Sequence, residues 1–444
     1  MKNFFTFMCL VFCLNNLSFS QGKFIIQNKK QSDKISFKLI NNLIVVPVEI
    51  NGVSLSFLLD TGVTKPLIFN FLNVSDTLRL YNTEKIFIRG LGEGDTVEAL
   101  KSKDNVFKIG DAIKLNQDLY AINDSNLSFA PRLGIPIHGI IGYDLFKDFV
   151  VEINYSKSFI RIVNPEKYKY KTCKKCEKLN LEFYRNKPYI NARIKVDNNK
   201  IPIKLLIDSG GSDALWLFED NSLGIKSRDK YFHDFLGHGL SGSVYGKRSK
   251  IESFYLKSFE LKNVNVAYPD SSYTLHARKV KSRNGSLSGD ILKRFNLIID
   301  YKKSNITFKK NSNFKNKFSY NKSGIELAHD GVRLVKEIDN KINSSMTNSA
   351  EPSNSTKIVI DTQYKISLKP AYTIVELRNN SPAQKAGLKI GDIILSVNEK
   401  QAFNYSLQQL MHLFYAEAGK TIKLKVDRNG VFLTFKFQLE DVFN

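Results

Sequence analysis

The sequence predicts an all-β protein built from two duplicated β lobes, followed by a small β-barrel domain decorated with α-helix. Three observations carry that prediction. Residues 138–162 realign without a gap onto residues 284–308. Two strand–turn–strand segments, residues 45–59 and 189–207, stand at nearly the same separation, and each runs into an aspartate, Asp60 and Asp208. After Lys310 the pattern changes to different turns and one amphipathic helix. At 444 residues, with roughly 150 per domain, about three domains are expected. Hydrophobic residues at 42% and charged residues at 25% exclude disordered, collagen-like and coiled-coil chains.

Residues 1–20 read as a signal peptide: Lys2, a short apolar run over residues 4–14, then Ser18-Phe19-Ser20. The run is too short for a permanent membrane span, and no later stretch reaches the ~18 apolar residues a span needs. An exported protein without a transmembrane anchor is expected, periplasmic, cell-surface or secreted. The leader takes Cys9 and Cys13 with it, and neither sits in a lipid-attachment context.

Residues 21–165 form the expected first lobe. Its strands turn at Asn51-Gly52, a strong two-residue hairpin signal, and its glycine-rich hairpin spans residues 90–94. Residues 166–188 connect the lobes and hold Cys173 and Cys176 in a lysine-rich stretch. In an oxidising compartment that spacing favours a local disulfide, since zinc needs a second ligand pair and a redox motif needs a strand–helix unit. The second lobe, residues 189–310, repeats the plan with a turn at Asp197-Asn198-Asn199 and a glycine-rich hairpin over residues 237–242.

Residues 311–444 make the third domain. Ser323-Gly324-Ile325 opens it, an Asn/Ser-rich run over 340–356 reads as a flexible insertion, and a strand is expected at 372–377. A helix is expected over 406–415, where Leu407, Leu410, Met411 and Phe414 fall at helical spacing, and two strands close the domain.

Lys and Arg outnumber Asp and Glu by 66 to 43, a net charge of +23 that permits polyanionic partners. The lysines are scattered and no basic block carries interleaved aromatics, so no nucleic-acid partner is expected. His233, His238 and His276 lack metal-ligand spacing, and neither metal nor cofactor is expected. Residues 239–243 approach a serine nucleophile-elbow pattern but lack its final glycine and belong to a hairpin. Trp216 reads as lobe core.

A carboxylate at the tip of an apolar strand is costly, but two brought together by symmetry constitute a mechanism. Held close enough to share a proton, they cannot both ionise, so one acts as acid and the other as base toward a water between them. Asp60-Thr61-Gly62 with Ile140-Ile141-Gly142, and Asp208-Ser209-Gly210 with Leu287-Ser288-Gly289, resemble the pepsin and retropepsin families of aspartic proteases. The C-terminal part is similar to a PDZ domain. Together the resemblances cover nearly all of residues 40–440, in the order found in bacterial exported aspartyl proteases with a PDZ module.

The resemblance implies a bilobal pepsin-like fold and a catalytic pair at Asp60 and Asp208, supported by Thr61, Gly62, Ser209 and Gly210. It implies flaps at Gly90, Leu91 and Gly92 and at Gly237 and Gly239. It implies a PDZ loop at Ser323, Gly324 and Ile325 whose amides capture a terminal carboxylate, beside a groove lined by the 406–415 helix. The sequence departs from the pattern at Val63, Gly211 and Ser288, which displaces Gly289 by one position. The expected partners are polypeptide substrates and a C-terminal peptide at the PDZ groove, with the chain acting as a monomer. A catalytically silent peptide-binding scaffold and a polyanion binder are the alternatives.

Overall fold

A computed structural model describes residues 22–69, 78–90, 92, 94, 96–122, 130–280, 282–338, 344–348, 356–360 and 364–443. The proposed leader and Leu91 lie outside the described residues. Most described residues are in strands, the helices are few and short, and none is long and apolar enough to cross a membrane. The chain divides into two compact units, one of residues 1–129 and 136–319, the other of residues 130–135 and 320–444. The second unit thus begins later than residue 311, and it takes in a short segment from far upstream.

The first unit contains three sheets, of nine, eight and six strands. The nine-stranded sheet is built before residue 142 and the eight-stranded sheet between residues 182 and 288. They share one unusual connection. Val53–Leu59 pairs antiparallel with Leu43–Ile50 on one side and parallel with Gly139–Ile141 on the other, and Gly139–Ile141 returns antiparallel to Leu67–Phe69. Asn199–Asp208 does the same between Lys187–Val196 and Arg283–Ser288, with Leu215–Leu217 as the antiparallel partner. In each half a late strand is inserted between two early ones, so the chain just after each aspartate is clamped from both sides.

Turn chemistry sets the register of these hairpins. Asn51 and Gly52 have φ of 50° and 88°, and Asp197 and Asn198 have 46° and 64°, the left-handed pair that a two-residue hairpin requires. The six-stranded sheet joins the halves through Val150–Asn154, paired antiparallel with Phe295–Asp300. These are the strands of the internal repeat, so its conserved apolar spacing serves the central sheet. One hydrophobic core runs through both halves, from Phe24 to Phe318. Cys173 and Cys176 form a disulfide at the entry to the strand Cys176–Asn180.

The second unit has its own core and a six-stranded sheet, with Ile325–Ile338 at one edge followed by Tyr364–Leu377, Ile393–Val397, Thr421–Arg428 and Val431–Gln438. The helix is Leu407–Leu413, shorter than expected from periodicity: a capping box at Ser406 starts it and Phe414 caps its C-terminal end. The Ser406 hydroxyl accepts from the Gln409 amide while the Gln409 side chain accepts from the Ser406 amide. Asp392, buried at the start of a strand, accepts bidentate hydrogen bonds from Arg428 at 2.6 and 2.7 Å. The expected flexible insertion lies partly outside the described residues. Within it the backbone of Ser344–Asn348 is not irregular but pairs with Thr356–Ile360.

Candidate active site

Asp60 and Asp208 follow equivalent strands, and the inserted strands hold them alike. The Asp60 amide donates to the Ile141 carbonyl at 2.8 Å, and the Tyr143 amide to Val63 at 2.9 Å. On the other side the Ser288 amide donates to Ala214 at 3.0 Å and the Gly289 amide to Gly211 at 2.8 Å. Gly289 therefore stands where Tyr143 stands and Ser288 where Gly142 stands. The frame is unbroken, and the apparent displacement is a change of side chain at one fixed position. Gly142 is required in its half because a Cβ there would lie 1.9 Å from the Asp60 carbonyl oxygen.

The residues after the aspartates bond across the pseudo-twofold. The Thr61 amide donates to Ser209 Oγ at 3.0 Å and the Ser209 amide donates to Thr61 Oγ1 at 3.1 Å. Each hydroxyl then donates to the opposite strand, Thr61 Oγ1 to the Ile207 carbonyl and Ser209 Oγ to the Leu59 carbonyl, both at 2.7 Å. Both side chains are buried. Four hydrogen bonds thus fix one aspartate loop against the other, where polar groups have no water to fall back on.

The glycines bring the carboxylates together. The Gly62 amide donates to Asp60 Oδ1 at 2.6 Å and the Gly210 amide to Asp208 Oδ1 at 3.2 Å. A Cβ on Gly62 would lie 3.0 Å from Asp60 Oδ1 and 3.6 Å from Asp208 Oδ1, so the two carboxylates flank one small volume. A Cβ on Gly210 would lie 2.3 Å from Asp60 Oδ2, and one on Gly211 would lie 2.8 Å from Ser288 Oγ. Any side chain at Gly210 displaces a carboxylate, and the departure at Gly211 goes with the one at Ser288, whose hydroxyl fills the space beside it.

Burial, and after it the neighbouring Asp208, push the Asp60 carboxyl from 3.8 up to about 7. The Gly62 amide, Lys187 and the Gly210 amide oppose that rise. Burial pushes Asp208 up too, but there Arg283 and then Lys187 favour the ionised form. Both carboxyls are thus pushed up, the direction that favours a pair holding one proton between its members. Arg283 is anchored by hydrogen bonds from its side chain to the Gly285 carbonyl at 3.1 Å and to Ser286 Oγ at 2.8 Å. No sequence motif marked Lys187 or Arg283, since both reach the pair only through strand pairing.

The two glycine-rich hairpins meet. One is Glu84–Ile88 with Val97–Ile109, the other Phe232–Gly239 with Gly242–Leu256. The Gly90 amide donates to Ser241 Oγ at 3.1 Å and the Gly94 amide to the Ser241 carbonyl at 2.5 Å. A Cβ on Gly92 would lie 2.3 Å from the Ser241 carbonyl carbon, so the close approach needs glycine. Gly239 pairs with Gly242 at the second tip, and Gly237, at φ 153°, sits beside a bulge. Ser241 is thus the meeting point of the tips, a role the sequence did not signal. Trp216 is partly buried beside the small cluster of Leu236, Val244 and Ala267, and its Nε1 donates to Asp213 at 2.7 Å.

In the second unit, the loop Ser323-Gly324-Ile325 differs from the open carboxylate cradle expected of it. Asn321 Oδ1 accepts from the Ser323 amide at 2.9 Å, from the Ser323 hydroxyl at 2.8 Å and from the Gly324 amide at 3.1 Å. The Ile325 amide donates to Ser323 Oγ at 3.0 Å. All three amides have partners inside the loop. The signal was present one turn earlier, in an Asn two residues before the motif, whose side chain substitutes for a ligand oxygen.

A family model for the PDZ domain matches residues 341–439. The serine protease Do-like HtrA of Bacillus subtilis (strain 168) is 39% identical over 69 residues, which is 15% of this chain and 15% of that protein. The chain therefore spans only a small part of the length of that relative. The family match falls within the second compact unit, whose edge strand, capped helix and separate core have been described above. The C-terminal part of this chain is a PDZ domain.

Proposed function

We propose that the protein is an exported aspartic endopeptidase of pepsin-like bilobal build, with Asp60 and Asp208 as its catalytic pair. The observation that carries the reading is the crossed Thr61–Ser209 hydrogen bonding, which sets two carboxylates of raised pKa around one small volume. A water held there loses a proton to ionised Asp208 as its oxygen attacks the peptide carbonyl carbon, while neutral Asp60 donates its proton to the carbonyl oxygen. In the second step the proton on Asp208 passes to the amide nitrogen, a hydroxyl proton returns to Asp60, and the C–N bond breaks. The meeting hairpins would cover the pair as flaps, with an extended polypeptide bonded beneath them through its backbone. The PDZ domain supplies a second peptide site.

The name of the Bacillus relative refers to a serine protease, and that overlap is short. Inhibitor class separates the two chemistries. The mature chain, incubated with an unstructured protein, is expected to cleave it, to be inhibited by a pepstatin-type peptide and to be unaffected by a serine-directed sulfonyl fluoride. Cleavage is expected to decline as pH rises through about 7, where Asp60 loses the shared proton. The opposite inhibitor pattern would favour a serine nucleophile, and an absence of cleavage at every pH would favour the silent scaffold.

A further inference from the structure

Residues 130–135 lie in sequence between two strands of the nine-stranded sheet, yet they belong to the second unit. Their short helix, Ala130–Leu133, packs against Ile325–Ile338, the edge strand of the PDZ sheet. Leu133 is buried, and its carbonyl accepts from the side-chain amide of Gln408. Gly134, at φ 67°, approaches Leu407 so closely that a Cβ would lie 2.8 Å from the Leu407 Cβ. Arg132 Nη2 pairs with Glu376 Oε1 at 3.0 Å. Leu407 and Gln408 open the helix Leu407–Leu413, and Glu376 lies on the strand beside the edge strand. The segment is therefore held by the edge strand and the helix together, the two walls of the groove assigned to peptide binding.

We propose that the PDZ groove receives an internal Arg-Leu-Gly segment in place of a free C-terminus, and that Ala130-Pro131-Arg132-Leu133-Gly134-Ile135 occupies it in cis. This rests on the PDZ assignment and deepens it by naming the ligand class. Two independent features agree. The loop amides that would take a carboxylate are bonded to Asn321 and Ser323, and the bound segment presents no terminus: its leucine is buried, its carbonyl is bonded to Gln408 of the helix, and its guanidinium is paired with Glu376 on the strand beside the edge strand. A tethered occupant acts at high effective concentration, so an outside polypeptide gains the groove only by displacing it. Gly134 sets the fit, because its left-handed backbone and its contact with Leu407 both exclude a β-branched residue.

The test uses the full mature chain and a labelled ten-residue probe with the sequence of residues 128–137, amidated at its C-terminus, read by fluorescence anisotropy. Gly134→Val and Arg132→Glu are each expected to evict the segment and bind the probe at least 20-fold more tightly than the unaltered chain does. A probe with Asp in place of its leucine is expected to lose that gain. Equal affinity for altered and unaltered chains, or no binding to either, would overturn the proposal. So would a free-acid probe that binds tenfold better than the amide, since the groove would then read a carboxylate. Because the readout is binding, a chain without peptidase activity would still give these results, and failure of the aspartic mechanism is distinguishable from failure here.

Discussion

Asp60→Asn is expected to lower peptide hydrolysis at least about 1,000-fold and, at the same time, to stabilise the fold at pH 8. Loss of activity follows because the pair then has no transferable proton at that position. The stability gain follows from linkage. The folded carboxyl titrates at about 7 and the unfolded one at 3.8, so between those values the folded chain holds a proton that the unfolded chain has released. The contribution of this carboxyl to stability therefore falls as pH rises from about 4 to about 7 and is level above. Asn, always neutral, escapes that loss and still accepts from the Gly62 amide through its side-chain oxygen. The advantage at pH 8 over pH 4 is expected to be on the order of 2–4 kcal/mol, read from thermal or urea unfolding at the two pH values. A variant that is inactive but gains nothing at pH 8 would show that the raised titration is absent.

Thr61→Val should be nearly as consequential, for the fold more than for the chemistry. Val keeps the shape of the side chain, so little cavity forms, but the Ser209 amide and the Ile207 carbonyl lose their partner in a buried site. Each orphaned group costs about 1–3 kcal/mol, giving about 2–6 kcal/mol in all. Ser209→Ala strips the Thr61 amide and the Leu59 carbonyl in the same way. Thr61→Ser, which keeps the hydroxyl, is expected to recover most of the loss. Urea denaturation of the three variants checks this, and a loss under about 0.5 kcal/mol for Thr61→Val would mean that the crossed hydrogen bonds do not hold the loops.

What the sequence made legible were features repeated in both halves or dictated by local backbone chemistry. The gapless match of residues 138–162 and 284–308 marked the inserted and central strands, and Asn51-Gly52 marked its hairpin, because register and φ are written in neighbouring residues. The aspartates were legible as paired ends of apolar strands. Groups that act through long-range proximity were not. Lys187 and Arg283 bias the pair from strands that look ordinary, and Ser241 became the meeting point of two tips only once the hairpins were brought together. Asn321 was overlooked for a different reason: a side chain that occupies its own loop leaves the motif intact while removing its ligand site. Residues 130–135 fall in sequence within the first lobe, and only the packing of Leu133 and Gly134 reveals where they belong.

The most direct test of the shared proton is a carboxyl carbon NMR titration of the mature chain and of Asp208→Asn. One carboxyl of the pair is expected to titrate near 7 in the unaltered protein, and in Asp208→Asn the Asp60 midpoint should fall, as the neighbouring charge is gone, while burial keeps it above 3.8. Two carboxyls that titrate independently near 4, unchanged when the other is removed, would contradict the account.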